Sequence, residues 1–334
     1  MSRRDYLLRK FMLSLVTVAV VVVINFVLFR ILPGDPVRAV IGRNVRISPE
    51  VQEALRVQFG LDKPLFFNFQ SNNWFDSQFF NTIAQWAQGN LGISWSLRKP
   101  VAEVLGAKLG NTLLLIGLGQ IFSIILGVGL GLIAGWKRKT AIDVGALMFS
   151  LIAWAIPTFW LGIILLAAGS TWLGLPTGGI VSPGNVGKPL YTVLPDLARH
   201  LFLPTLTLTI LYMGEYMLIM RSSILEVLSE DYILTAKAKG FSTLEVLRRH
   251  ALKNAMLPIV TIIALNLGFT VSGAIYIETV FSYDGLGKLF QTALTKQDYP
   301  LLQGAFLLLA FSVIVANMLA DILYTTLDPR VKAN

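Results

Sequence analysis

The sequence predicts an all-α integral membrane protein with six transmembrane helices, and three observations carry that prediction. Of 334 residues, 54% are hydrophobic and only 14% charged, whereas soluble domains carry about 25% charge. Six apolar runs, residues 11–32, 112–135, 144–167, 201–220, 257–277 and 301–323, approach or exceed the roughly 20 residues a helix needs to cross about 30 Å of hydrocarbon. The net charge is +9, but the basic residues border the apolar runs instead of lining one folded face. That pattern belongs to a membrane protein and not to a nucleic-acid binder.

The first run follows Arg3, Arg4, Arg9 and Lys10, which raises the alternative of a signal peptide. Its apolar core is longer than a signal-peptide h-region, and it ends in Leu32-Pro33-Gly34-Asp35-Pro36 with no small-x-small cleavage site, so a retained span is expected. Residues 1–32 then form a cytoplasmic N-terminus plus the first helix, and 33–111 a partly helical extracytoplasmic loop subdomain. Within that loop Ser48 is a plausible N-cap with Pro49 at the first helical position, Val51, Leu55 and Phe59 share a face, and Gly60 closes the helix. Phe66, Phe67, Phe69, Trp74, Phe75, Phe79, Phe80, Trp86 and Trp95 follow closely. Such aromatics suit an interfacial belt, a platform for a delivering partner, or both.

Residues 112–334 form a five-helix core. In the second run Gly129-Leu130-Gly131-Leu132-Ile133-Ala134 matches the dinucleotide fingerprint, but no strand precedes it. Gly127, Gly131 and Gly135 recur every four residues, which puts small residues on one helix face for close packing of spans. Lys137, Arg138 and Lys139 follow, and the fourth-to-fifth connection carries Arg221, Lys237, Lys239, Arg248, Arg249 and Lys253. With six spans these clusters and the N-terminus fall on one side, the cytoplasm by the positive-inside rule. Glu215 is the one carboxylate well inside a predicted span. An ionised group at mid-bilayer costs about 2.5–3.5 kcal/mol, so it faces a wet pathway, Arg221 about 9 Å down the axis, or a neighbouring span. Asn266 in the fifth run and Asn317 in the sixth are further candidate pathway residues, or else interhelical hydrogen bonds.

The segment 231–258 is polar and basic between two apolar runs. Tyr232 to Lys239 reads as a short helix that Gly240 stops in a left-handed C-cap. Ser242-Thr243-Leu244-Glu245 spells a capping box, and Leu244, Leu247, Ala251 and Leu252 continue at helical spacing. Such an elbow, flanked by spans, is shaped to dock into a groove on a soluble partner. Nothing points to chemistry on this chain. It has no cysteine, two distant histidines, His200 and His250, and no phosphate-loop, H-E-x-x-H or G-x-S-x-G motif. No catalytic, metal or cofactor site is expected. No internal repeat is visible either, so the chain does not read as a complete secondary carrier.

These residues resemble the permease subunit of ABC importers of the dipeptide/oligopeptide/nickel group, the first of the two permeases. The resemblance rests on Leu32-Pro33-Gly34-Asp35-Pro36, Phe59-Gly60-Leu61-Asp62-Lys63-Pro64, Gly89-Asn90-Leu91-Gly92-Ile93-Ser94 and Asn111-Thr112. It continues through Arg221-Ser222-Ser223, Asp231-Tyr232, Thr235 to Gly240, Arg249 to Ala255, Glu278-Thr279-Val280-Phe281-Ser282, Gly285-Leu286-Gly287, Asp298-Tyr299-Pro300 and Asp328-Pro329-Arg330. The EAA loop of that family falls on 231–258, with Leu234-Thr235-Ala236 where Glu-Ala-Ala stands in other ABC importers. The resemblance implies a multi-pass subunit of a prokaryotic plasma (inner) membrane, N- and C-termini cytoplasmic. It also implies a heterodimer with a second homologous permease, two cytosolic ATP-binding subunits and an extracytoplasmic solute-binding protein. Thr235, Ala236, Ala238, Lys239, Gly240, Ser242, Glu245, Arg248 and Arg249 would couple the loop to the ATPases, with the arginines equally suited to positive-inside retention beside membrane lipid. ATP hydrolysis would lie in the partners. Di- or oligopeptides are the expected substrate; oligosaccharides, nickel and an ATP-independent channel or carrier stay open as alternatives.

Overall fold

The computed structural model describes residues 3–31, 48–58 and 61–327. Residues 32–36, 59–60 and 328–330, singled out above, lie outside them. The described chain is helical: α1 (Arg3–Ile31), α2 (Pro49–Gln58), α3 (Gln78–Ala87), α4 (Val101–Trp136), α5 (Ala141–Ala155), α6 (Thr158–Leu173), α7 (Leu190–Leu228), α8 (Asp231–Ala238), α9 (Thr243–Glu245), α10 (Leu252–Val280), α11 (Leu286–Lys296) and α12 (Tyr299–Leu327). Residues Val246–Ala251 make a π-helical turn between α9 and α10. The chain divides into two compact units, one of residues 1–14, 111–288 and 312–334, the other of 15–110 and 289–311.

Within the described residues all six apolar runs lie on helices, but the third is not one helix. Ile156 and Pro157 adopt extended backbone, ψ 126° and 132°, and α5 and α6 meet there at 105°. Proline lacks the N–H of the ladder and pushes the residue before it out of the helical region. At 1.5 Å per residue each piece is about 23 Å long, too short to cross the bilayer alone. Where the sequence predicts one continuous span over 144–167, the chain forms two short helices bent at Ile156-Pro157. Four other helices are long and apolar enough to cross, and α10, 29 residues long, contains the fifth run. The second span begins before Thr112, at Val101.

In the second unit the fold is set by short polar clamps under an aromatic cluster. Phe26 of α1, 1% exposed, meets Phe66 and Phe79 with ring centroids 5.9 and 5.1 Å apart. Phe67 and Phe75 pack on Phe80, while Phe69, Trp74 and Phe75 keep wide exposed faces. Ser48 caps α2, accepting from the Val51 N–H, and Ser77 caps α3. Asp298, just before α12, is buried and accepts from Ser94 Oγ at 2.6 Å, Ser96 Oγ at 2.7 Å and Ser96 N–H at 2.9 Å. Burial alone would raise its carboxyl pKa, but the donors from Ser94 and Ser96 outweigh it and hold the value below the usual range.

In the first unit α4 and α7 are in close contact. A Cβ at Gly127 would lie 2.7 Å from the Met213 carbonyl oxygen and from Tyr216 Cβ, and one at Gly131 would lie 2.9 Å from Met220 Cβ. Gly135 faces Ile224 and Arg221 in the same way. Glycine every fourth residue on α4 thus meets Met213, Met217 and Arg221, every fourth residue on α7. Backbone approaches backbone, and the nucleotide fingerprint is a packing seam.

Candidate functional site

The loop after α7 is built from two local stop-and-start signals. Gly240 has φ +82°, its N–H donates to Lys237 O at 3.0 Å, and the Phe241 N–H donates to Ala236 O at 3.4 Å. This pair of bonds is the Schellman motif, which ends α8 through a left-handed residue. The chain restarts at once. Ser242 Oγ accepts from the Glu245 N–H at 3.4 Å, and Glu245 Oε2 accepts from the Ser242 N–H at 3.0 Å and its hydroxyl at 2.8 Å. These Ser242 bonds, with Arg249 nearby, hold the Glu245 carboxyl below its usual pKa.

The two faces of the loop differ sharply. Ile233, Ala236, Val246 and Ala251 are buried with Met220 and Ile224 of α7 and with Ala255 and Ile259 of α10. Thr235, Ala238, Lys239, Gly240, Ser242, Arg248 and Arg249 are exposed, as are Leu234 and Leu244, each 58%. Glu245 is half-buried. Ala236, 4% exposed, belongs to the inner face. Leu244 also departs from the expected stripe shared with Leu247 and Ala251. In the π turn residues five apart align, so Val246 and Ala251 face the core together and Leu244 is turned outward.

Glu215 does not pair with Arg221. Arg221 makes a bidentate pair with Asp143 at the start of α5, its Nη2 3.0 Å from Oδ2 and its Nε on Oδ1. Asp143 also accepts from the Lys139 N–H at 2.8 Å. Glu215 instead accepts at Oε2 from Asn266 Nδ2 at 2.8 Å. The same amide lies 3.4 Å from the Tyr216 hydroxyl, which donates to Gln120 Oε1 at 2.8 Å. Tyr216 is fully buried, and the chain Glu215–Asn266–Tyr216–Gln120 ties α7, α10 and α4 together. Asn317 is exposed on α12 and takes no part in it. Sequence reasoning found Glu215 and Asn266 but not Tyr216 or Gln120, because a phenol and an amide in an apolar run carry no spacing signal.

The fully buried carboxylate of Glu278 was visible in the sequence only as part of a motif. Glu278 accepts from Thr112 Oγ1 at 2.6 Å, the Gly287 N–H at 2.7 Å and the Lys288 N–H at 3.1 Å, while Thr112 Oγ1 accepts from the Leu286 N–H at 2.8 Å. Asn111 Nδ2 donates to Asp284 O and Tyr283 OH to Asn111 O. Asn111-Thr112, the stretch from Glu278 and Gly285-Leu286-Gly287 are thus parts of one clamp that caps α11.

Apolar helices, a glycine-packed pair and an exposed capped elbow define a multi-pass transport component of the membrane. Residues 127–333 match the family described as "Binding-protein-dependent transport system inner membrane component", and residues 3–116 match its N-terminal counterpart. The chain is 37% identical over 331 residues to a putative peptide permease protein of Brucella suis biovar 1 (strain 1330), covering 98% of each. It is 35% identical to the dipeptide transport system permease protein DppB of Escherichia coli (strain K12), with 98% of each covered. To the oligopeptide transport system permease protein AppB of Bacillus subtilis (strain 168) it is 34% identical, covering 98% of this chain and 99% of that one. Among solved structures, one described as inward facing conformations of the MetNI methionine ABC transporter aligns with TM-score 0.51 and 16% identity, over 67% of this chain and 96% of that one; at that identity the fold is what is shared. The chain belongs to the family of binding-protein-dependent transport system inner membrane components. It is a permease subunit of an ABC importer, a membrane transport protein that works with ATPase subunits.

Proposed function

We propose that this chain forms half of the translocation pathway of an importer for di- or oligopeptides, beside a second homologous permease. Two cytosolic ATP-binding subunits grip the loop 231–258, and an extracytoplasmic solute-binding protein delivers the substrate. The observation that carries this reading is the two-faced elbow: its inner side is locked to α7 and α10, while Leu234, Leu244, Lys239, Arg248 and Arg249 stand exposed. Exposed leucines flanked by cations suit a partly acidic groove, and the locked inner face transmits a pull directly to two spans. Ala236 supports the loop from within, and Gly240, Ser242 and Glu245 fix its angle. Glu215, Asn266 and Asn317 line or border the pathway. The N- and C-termini and the loop are cytoplasmic by the positive-inside argument. The names of the relatives support peptide as the substrate class.

The test is reconstitution of the purified complex with its binding protein in proteoliposomes. Peptide uptake should require ATP on the loop side, and a label on a cysteine replacing Lys239 should react only from that side. Uptake in a preparation without any nucleotide-hydrolysing subunit, or labelling of that cysteine from outside, would overturn it.

A further inference from the structure

We propose that the pocket at the break between α5 and α6 takes the free amino terminus of a peptide in transit. Glu215 is its counter-charge, and Trp154 and Tyr212 form its walls. This rests on the peptide reading above and adds to it the part of the substrate that this chain recognises.

The pocket has a volume of about 240 Å³ and is bordered by Trp154, Ile156, Thr158, Leu211, Tyr212 and Glu215. That is room for an ammonium group and at least one small side chain. The break that makes it is the Ile156-Pro157 turn. There the C-terminal end of α5 and the N-terminal end of α6 meet, so their opposite dipole charges largely offset each other. The net charge of the site is then decided by Glu215.

That carboxylate is anchored through Oε2. Oε2 is fixed by Asn266 Nδ2 at 2.8 Å, and Asn266 lies beside the buried Tyr216–Gln120 pair. The group is only half-buried and borders the pocket. A carboxylate facing hydrocarbon is costly, so this face of α7 is wet or meets a cation. The pocket supplies the rest of a cation site. Trp154, 83% exposed in this chain, lines the same pocket as Tyr212 and Glu215, and aromatic faces attract ammonium groups. Divalent cations gather several oxygen ligands. One carboxylate among aromatic and aliphatic walls suits an ammonium on an organic substrate instead.

The test uses the whole importer with its binding protein in proteoliposomes, with trialanine as the probe. Glu215→Gln keeps an oxygen that can accept from Asn266 and removes only the charge. Glu215→Asp keeps the charge and shortens the side chain. The initial rate of uptake should fall about tenfold or more in the glutamine variant, a change that corresponds to about 1.4 kcal/mol. The aspartate variant should recover about half of the rate, and Trp154→Leu should cost about threefold. A merely structural role predicts the reverse order, with glutamine tolerated and aspartate impaired. Wild-type uptake in the glutamine variant overturns the proposal. So does loss of the second permease from the purified glutamine variant, which would make Glu215 one half of an ion pair between subunits. If the wild-type importer takes up no trialanine at all, the peptide reading itself fails and this inference falls with it.

Discussion

Replacing Gly240 tests the elbow most directly, because the structure separates its two possible costs. Apart from its chain neighbours, no atom lies within 4 Å of the position a Cβ would occupy, so a Cβ there has open space. What remains is the backbone, held at φ +82°, where a non-glycine L-residue costs about 1–2 kcal/mol. That shifts the equilibrium between the observed turn and its alternatives by a factor of about 5–30. The cost falls on the turn alone, since the inner face of the loop is anchored by a buried cluster with α7 and α10. Gly240→Val should therefore reach the membrane in normal amount yet hydrolyse ATP wastefully. In proteoliposomes the ATP consumed per peptide imported should rise about fivefold or more. Gly240→Asn should stay within about twofold of the wild type, because asparagine visits the left-handed region far more readily than valine. A normal ratio in the valine variant, or equal failure of both, would refute the assignment of this turn to coupling.

Three further outcomes follow from named contacts. Gly131→Ala would push a methyl to 2.9 Å from Met220 Cβ and 3.0 Å from Met217 Cα, whereas Gly129→Ala meets nothing within 4 Å. The first should destabilise the detergent-solubilised protein by about 1–3 kcal/mol and the second should be near neutral, as read by thermal unfolding; equal effects would remove the packing account of the seam. Asp298→Ala leaves the buried Ser94 hydroxyl and the Ser96 donors without their acceptor, a loss of about 3 kcal/mol; an unchanged Tm would show that the clamp contributes nothing. Glu245 has a folded-state pKa below its ordinary value of 4.5. The support it gives the loop is therefore complete above that value and is lost as pH falls through the folded one. Hydrogen exchange at the Ser242 and Glu245 amides should accelerate below about pH 4.5, and Glu245→Gln should flatten that dependence.

Much of this molecule is legible in the residue order, because its strongest signals are local. A run of about twenty apolar residues marks a candidate span, and Gly240 followed by Ser242-x-x-Glu245 specifies a Schellman stop and a capping box within six residues. Pro157 lies inside the third run, yet the apolar pattern there predicts one unbroken span. What stayed hidden depends on distance along the chain. Thr112 and Glu278 are 166 residues apart, and only the packed helices make them one clamp. Arg221 and Asp143 find each other across 78 residues, leaving Glu215 to Asn266 and to the pocket. That Leu244 turns outward while Val246 and Ala251 face the core depends on the five-residue period of the π turn, which no hydrophobic period anticipates. The helix stop at Gly240 and the capping box at Ser242 follow from bonds between near neighbours, so they are legible in the residue order. The partners of a buried polar group follow from which helices touch, and that is a property of the whole fold.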